Sequence, residues 1–129
     1  MIDHLTLRVR DYEASKAFYA KALAPLGYEV AMEFDVPGVG KFCGLGVKGK
    51  PDFWLATATA EHPAGTGQHI AFVAKQRAQI AAFHAAALAA GAKDDGKPGP
   101  RAEYHPDYHG AFVVDLNGVH LEVCSHHAE

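Results

Sequence analysis

Several things are scarce or missing in this sequence. No apolar run is long enough to cross a bilayer. The start, Met1-Ile2-Asp3-His4, has no basic segment followed by an apolar stretch, so it does not read as a secretory leader. Lys and Arg are outnumbered by Asp and Glu, 12 to 15, and lie scattered; nucleic acid and anionic lipid are therefore not expected as main partners. Two cysteines, Cys43 and Cys124, cannot make a framework of bridges and read as free thiols. The glycine-rich run from Pro37 to Gly49 lacks the GK[ST] ending of a phosphate loop, and no G-x-S-x-G elbow exists. Together these absences give the expectation of a cytoplasmic, globular protein that handles small molecules. What stands out against them is histidine, with nine in 129 residues.

The chain also repeats itself. Ile2-Asp3-His4-Leu5-Thr6-Leu7-Arg8-Val9 is similar to Gly67-Gln68-His69-Ile70-Ala71-Phe72-Val73-Ala74, and both alternate in the manner of strands. The offset that takes His4 to His69 also takes Phe18 to Phe83 and Leu23 to Leu88. A helical pattern follows each strand, over Tyr12–Ala24 with Asp11 as N-cap and over the alanine-rich Ala78–Ala90. Pro25 and Gly27 stop the first, and Gly91 stops the second. Three strand-like segments come next in each half. They fall near Tyr28–Phe34, Lys41–Val47 and Asp52–Thr57, then near Ala92–Asp95, Gly110–Asp115 and Val119–Cys124. Glu61–Gly67 reads as a linker. The expected fold is α+β, one domain over 1–129 made of two βαβββ modules, 1–60 and 67–129. They would form a curved, partly closed mixed sheet around a central cavity, with the helices outside.

Alternation decides which side chains face that cavity. Leu5, Leu7 and Val9 belong under the first helix, which leaves His4, Thr6 and Arg8 on the other face. In the repeat, His69 faces away from Ile70 and Phe72; on the last strand, His120 and Glu122 face away from Val119, Leu121 and Val123. A carboxylate in mid-strand is costly to bury without a partner. A cation shared with two imidazoles would offset that cost. His4, His69 and Glu122 thus form a candidate 2-His-1-carboxylate set for one divalent ion, Fe, Mn, Ni or Zn, with positions left open for substrate. The bland alternative is a pair of hydrogen-bonded histidines and a surface glutamate. His120 shares the face of Glu122, as a supporting residue or at the rim.

Other candidates surround this set. Tyr104, His105, Tyr108 and His109 lie in a polar aromatic stretch before an inner strand and are candidate acids, bases or hydrogen-bond donors. Arg101 is a candidate for holding an anionic substrate. Phe53 and Trp54 are candidates for an apolar pocket wall, although alternation sends the two in opposite directions. Cys43 has no base motif around it and is not expected to be a nucleophile.

The motifs Asp3-His4-Leu5 and Gln68-His69-Ile70, with the closing Asp115-Leu116-Asn117-Gly118-Val119-His120-Leu121-Glu122, resemble the glyoxalase, bleomycin-resistance and extradiol dioxygenase superfamily. The resemblance spans almost the whole chain. It implies paired βαβββ modules, a metal in the cavity held by His4, His69 and Glu122, and a homodimer. The implied activity is metal-dependent lyase, isomerase, dioxygenase or thiol-transfer chemistry on a small molecule with adjacent oxygens. The alternative within the same resemblance is a metal-free drug-binding protein. One departure matters: glyoxalase I uses a further acidic ligand on the last strand of the first module, and the equivalent position here falls near Phe53 or Trp54, neither of which binds metal.

Overall fold

A computed structural model describes all 129 residues. The elements run β1 (Leu5–Val9), α1 (Tyr12–Ala22), β2 (Tyr28–Val36), β3 (Gly40–Val47), β4 (Lys50–Thr57), β5 (His69–Val73), α2 (Arg77–Ala89), β6 (Lys93–Pro100), β7 (His109–Val114) and β8 (His120–Ser125). They build two four-stranded mixed sheets, β1-β4-β3-β2 and β5-β8-β7-β6, that repeat one topology. In each, the first strand pairs parallel to the last and the others run antiparallel. The expected α+β fold of two βαβββ modules is therefore present. The two sheets stay separate and do not close on each other within one chain. No helix is long and apolar enough to cross a membrane.

Local chemistry explains the helices. Asp11 caps α1 by accepting the Ala14 N–H at 3.0 Å, which satisfies one of the four orphan donors of a helix start. Glu13 in the first turn and Lys21 in the last complement the helix dipole. The helix stops at Ala22, two residues before the expected end, because Pro25 directs a 3-10 turn over Ala24–Leu26 that Gly27 closes at φ 85°. A reciprocal capping box of Gln76 and Gln79 starts α2.

The largest difference from expectation lies in β6. It runs to Pro100, whereas the sequence suggested a short strand ending at Asp95. Gly96, Pro98 and Gly99 are poor strand residues, and the ladder to β7 is irregular across Gly96 and Gly99. They are tolerated because β6 is an edge strand, where a missing N–H costs no ladder bond.

One hydrophobic core joins the modules. Leu7, Val9, Leu45, Phe53 and Leu55 of the first sheet lie in the same cluster as Phe72, Val113, Leu121 and Val123 of the second, with Phe18, Tyr19, Ile80 and Phe83 from the helices. Each such side chain contributes roughly 1.5–3 kcal/mol by leaving water. A relay of rings crosses the join: Tyr19 to Phe53 at 4.9 Å, Phe53 to Phe72 at 5.3 Å and Phe72 to Tyr28 at 5.6 Å. Polar ties cross it too. The buried Tyr19 hydroxyl donates to Asp115 Oδ2 at 2.5 Å, Asn117 donates to Ser15 at 3.1 Å, and the Arg10 guanidinium donates to the Asn117 carbonyl at 2.7 Å. Asp115 also accepts the N–H groups of Asn117 and Val119, each at 2.8 Å, so one carboxylate fixes both the β7–β8 turn and its contact with α1.

Candidate metal centre

Core packing takes one face of each sheet, and the opposite faces carry the chemistry. In the second sheet the register sets Ala71, Glu122 and Phe112 side by side across β5, β8 and β7. Glu122 is 4 % exposed, so its carboxylate needs partners. It has two. Oε2 lies 2.8 Å from His69 Nε2, and Oε1 accepts the Tyr108 hydroxyl. Burial, followed by the neighbouring Cys124 and Glu122, pushes the Tyr108 phenol well above its ordinary range. Tyr108 is thereby kept a proton donor to Glu122.

The segment before β7 builds the surroundings of Tyr108. The rings of Tyr104, His105 and His126 meet it edge-on at 5.0, 5.3 and 4.9 Å. The Asp107 N–H donates to His105 Nδ1 at 3.2 Å, which leaves the proton of the neutral ring on Nε2. That nitrogen lies 2.8 Å from His126 Nδ1. His109 sits at the start of β7; burial, then the charges of Arg77 and Arg101, hold its pKa below the usual histidine range. Arg101 places its guanidinium 5.3 Å from the centre of the Phe112 ring, and Phe112 in turn meets His69 edge-on at 6.2 Å. Its donors go to the carbonyls of Lys97 and Pro100. His120 pairs with Asp95 at 2.9 Å, across to the edge strand.

His4 lies elsewhere. It stands just before β1 on the first sheet, its side chain 57 % exposed and its Nδ1 2.8 Å from Asp3. No three His, Cys, Asp or Glu side chains of one chain are grouped to hold a metal ion. Within one chain the structure thus brings His69 and Glu122 together, adds Tyr108, and leaves the third expected ligand on the other sheet. The donor set is chemically suited to a divalent ion, but a single chain supplies it in two parts.

The apolar candidates separate as alternation requires. Phe53 is 1 % exposed and belongs to the core, and it borders an apolar groove with Leu5, Tyr28, Ile70 and Phe72 rather than the wall that Trp54 lines. Trp54 faces the other way and lines a cavity of about 390 Å3 together with Asp3, His4, Thr6, Phe34, Phe42 and Pro51. Phe34 and Phe42 were not singled out from the sequence. The signal that would have found them is the same alternation, since β2 and β3 leave both on the face opposite Cys43 and Leu45.

The strand registers also fix the module equivalence. Leu5 pairs with Phe53 as Ile70 pairs with Leu121, so the counterpart of Glu122 in the first module is Trp54. The missing acidic ligand is thereby located: an indole occupies its place.

The matching family model, the Glyoxalase/Bleomycin resistance protein/Dioxygenase superfamily, covers residues 1–123. The chain belongs to this superfamily. It is similar to a glyoxalase/bleomycin resistance protein from Albidiferax ferrireducens T118, with 25 % identity and a TM-score of 0.79, over 95 % of this chain and 97 % of that one. A glyoxalase/bleomycin resistance protein/dioxygenase family enzyme from Burkholderia phytofirmans PsJN shares the fold at 20 % identity and a TM-score of 0.68, over 96 % and 97 % of the two chains. Glyoxalase I from Zea mays shares it at 20 % identity and a TM-score of 0.72, over 99 % of this chain but 45 % of the maize protein. Among curated proteins, none matches the chain.

Proposed function

We propose that the protein is a metal-dependent enzyme acting on a small molecule with neighbouring oxygen atoms, and that its metal site is completed between two copies of the chain. The observation that carries this reading is the buried Glu122 carboxylate facing the His69 imidazole with Tyr108 behind it. His69 and Glu122 of one copy, with His4 of a second, would hold one divalent ion. When bound, the ion supplies Lewis-acid stabilisation of negative charge on substrate oxygens. Tyr108 holds Glu122 by its far oxygen and so fixes which oxygen is offered, the role of an outer-shell partner. Tyr104 and His105 and the Arg101 guanidinium border the same sheet face, whereas His109 alternates with Gly110 onto the helix side, toward Arg77. The first three are the proposed sources of acid–base chemistry and anion recognition. Cys43 and Cys124 are buried free thiols, which fits a reducing compartment such as the cytoplasm.

Metal content of the purified protein tests the site. We expect about one divalent ion per site, with its affinity reduced in His69→Ala and in Glu122→Gln by more than the roughly 10–100-fold that loss of an outer-shell partner costs. Mixing tests the two-copy arrangement. His4→Ala and Glu122→Gln each bind poorly alone, but co-refolded together they regain one intact site per mixed dimer. No regained metal on mixing would exclude the shared site. No metal in the wild type after reconstitution would exclude the enzyme reading.

A second reading, metal-free sequestration of a small molecule, draws on the aromatic cavity beside His4. Ligand-induced thermal stabilisation that chelator leaves unchanged would favour it.

A further inference from the structure

The first sheet carries an aromatic platform on the face that bears His4. Phe34 and Phe42 stack at 5.4 Å with an interplanar angle of 21°, and Trp54 meets Phe34 at 5.8 Å. All three rings line the cavity of about 390 Å3, a volume within the roughly 300–1,000 Å3 of small-molecule sites. The platform is built. Gly44 pairs with Trp54 across β3 and β4, and a Cβ at Gly44 would come within 2.8 Å of the indole and 2.7 Å of Pro51. Absence of a side chain there is what lets the indole lie across the strand. Within a single chain Phe34 remains 43 % exposed, so its ring is open to the cavity.

The charges around the rings are already spoken for. The Arg8 guanidinium lies 5.6 Å from the centre of the Phe42 ring and donates to the Thr57 carbonyl at 3.0 Å. Asp3 is taken by His4 at 2.8 Å and Lys50 at 4.0 Å. What is left for a ligand is stacking area, the Thr6 hydroxyl and the His4 imidazole.

We propose that the Phe34–Phe42–Trp54 platform seats a flat, uncharged aromatic group of one or two rings on the molecule this protein takes. The proposal rests on reading the His4 cavity as part of the small-molecule site. It deepens that reading by naming the substrate class: an aromatic body whose polar end lies toward His4. Flat rings gain from offset and edge-on contacts with other rings beyond the area they bury. A saturated ring of the same size gains the area alone.

Trp54 is the single tryptophan of the chain and reports directly on the platform. The test uses full-length protein stripped of metal by chelator, so it is independent of activity. 4-Nitrobenzyl alcohol is titrated against Trp54 fluorescence, with cyclohexylmethanol as the saturated control and free tryptophan as the collisional control. We expect saturable quenching by the aromatic probe, none by the saturated one, and about fivefold weaker binding in Phe34→Ala and in Phe42→Ala, the size of one aromatic contact. Phe34 is half-exposed, so that variant folds, and circular dichroism checks it. Binding unchanged in both variants, or quenching that rises linearly as for free tryptophan, overturns the proposal. So does a Trp54 emission that is already shielded from the probe in the dimer, because the face would then be an interface between copies. The Glu122→Gln variant separates the two readings. It should lose metal and keep saturable quenching; wild-type protein that takes up no metal on reconstitution yet shows saturable quenching would defeat the metal reading and leave the aromatic seat standing.

Discussion

The two modules share a topology and a register but have divided their labour. At matching positions the second sheet has Glu122 beside Phe112, and the first has Trp54 beside Gly44. Large and small have changed places: where the residue on the module's last strand is an indole its neighbour shrinks to glycine, and where it is a carboxylate its neighbour is a phenylalanine. One strand pair further along, the first sheet has Phe42 beside Ala56 and the second has Gly110 beside Cys124. The same backbone thus supports an apolar platform in one module and a polar, hydrogen-bonded His69–Glu122 pair in the other. A duplicated module does not carry duplicated chemistry; its fold is preserved by the core face, and its opposite face is free to diverge.

Substitutions can break this comparison. The greatest loss of stability is expected from Phe53→Ala, which empties the junction between the modules and costs about 3–5 kcal/mol in denaturant unfolding. Its neighbour Trp54, replaced by alanine, should cost under about 2 kcal/mol, since it packs on the open face. Equal costs would contradict the assignment of the two faces. The glycine pair comes next. Gly44→Ala drives a methyl group into Pro51 and the indole and should cost about 1–3 kcal/mol. Gly110→Ala meets Glu122 Oε1 only at 3.3 Å and Tyr108 at 3.4 Å, so it should cost under about 1 kcal/mol yet weaken metal retention by crowding the carboxylate.

The smallest effect concerns pH. His109 has its folded pKa held below the ordinary 6.5 by burial and then by Arg77 and Arg101. As pH falls below about 6.5 the unfolded chain takes up that proton first, so stability declines until the depressed folded pKa is passed and then levels off. His109→Gln should flatten this decline in thermal unfolding measured across the acid range, and an unchanged slope would remove the assignment.

Much of this was legible in the sequence because the signals were periodic. Alternation separated His69 and Glu122 from the core residues on their own strands, and the common offset of His4, Phe18 and Leu23 announced the repeat. The capping Asp11 and the stop at Pro25 and Gly27 are local chemistry and gave α1 to within two residues. Strand β6 was read short because its Gly and Pro argue against a strand unless it lies at an edge, and edge position is a property of the whole sheet. Phe53 and Trp54 could be told to diverge but not which faced inward, since a shift of one residue reverses every side chain. The placement of His4 on a different sheet from Glu122 depends on how two sheets are set against each other, and no spacing in a single sequence encodes that. The Tyr108 contact with Glu122 crosses from a loop to a strand and has no periodicity to betray it.

The tie from Tyr19 and Ser15 to the β7–β8 turn has a mechanical meaning. It bolts the helix of one half to the hairpin of the other, with Asp115 as a common rivet between turn and helix. Halves fastened in this way cannot swing apart like a clam shell, so breathing of the chain about its middle is not a route by which a small molecule would enter.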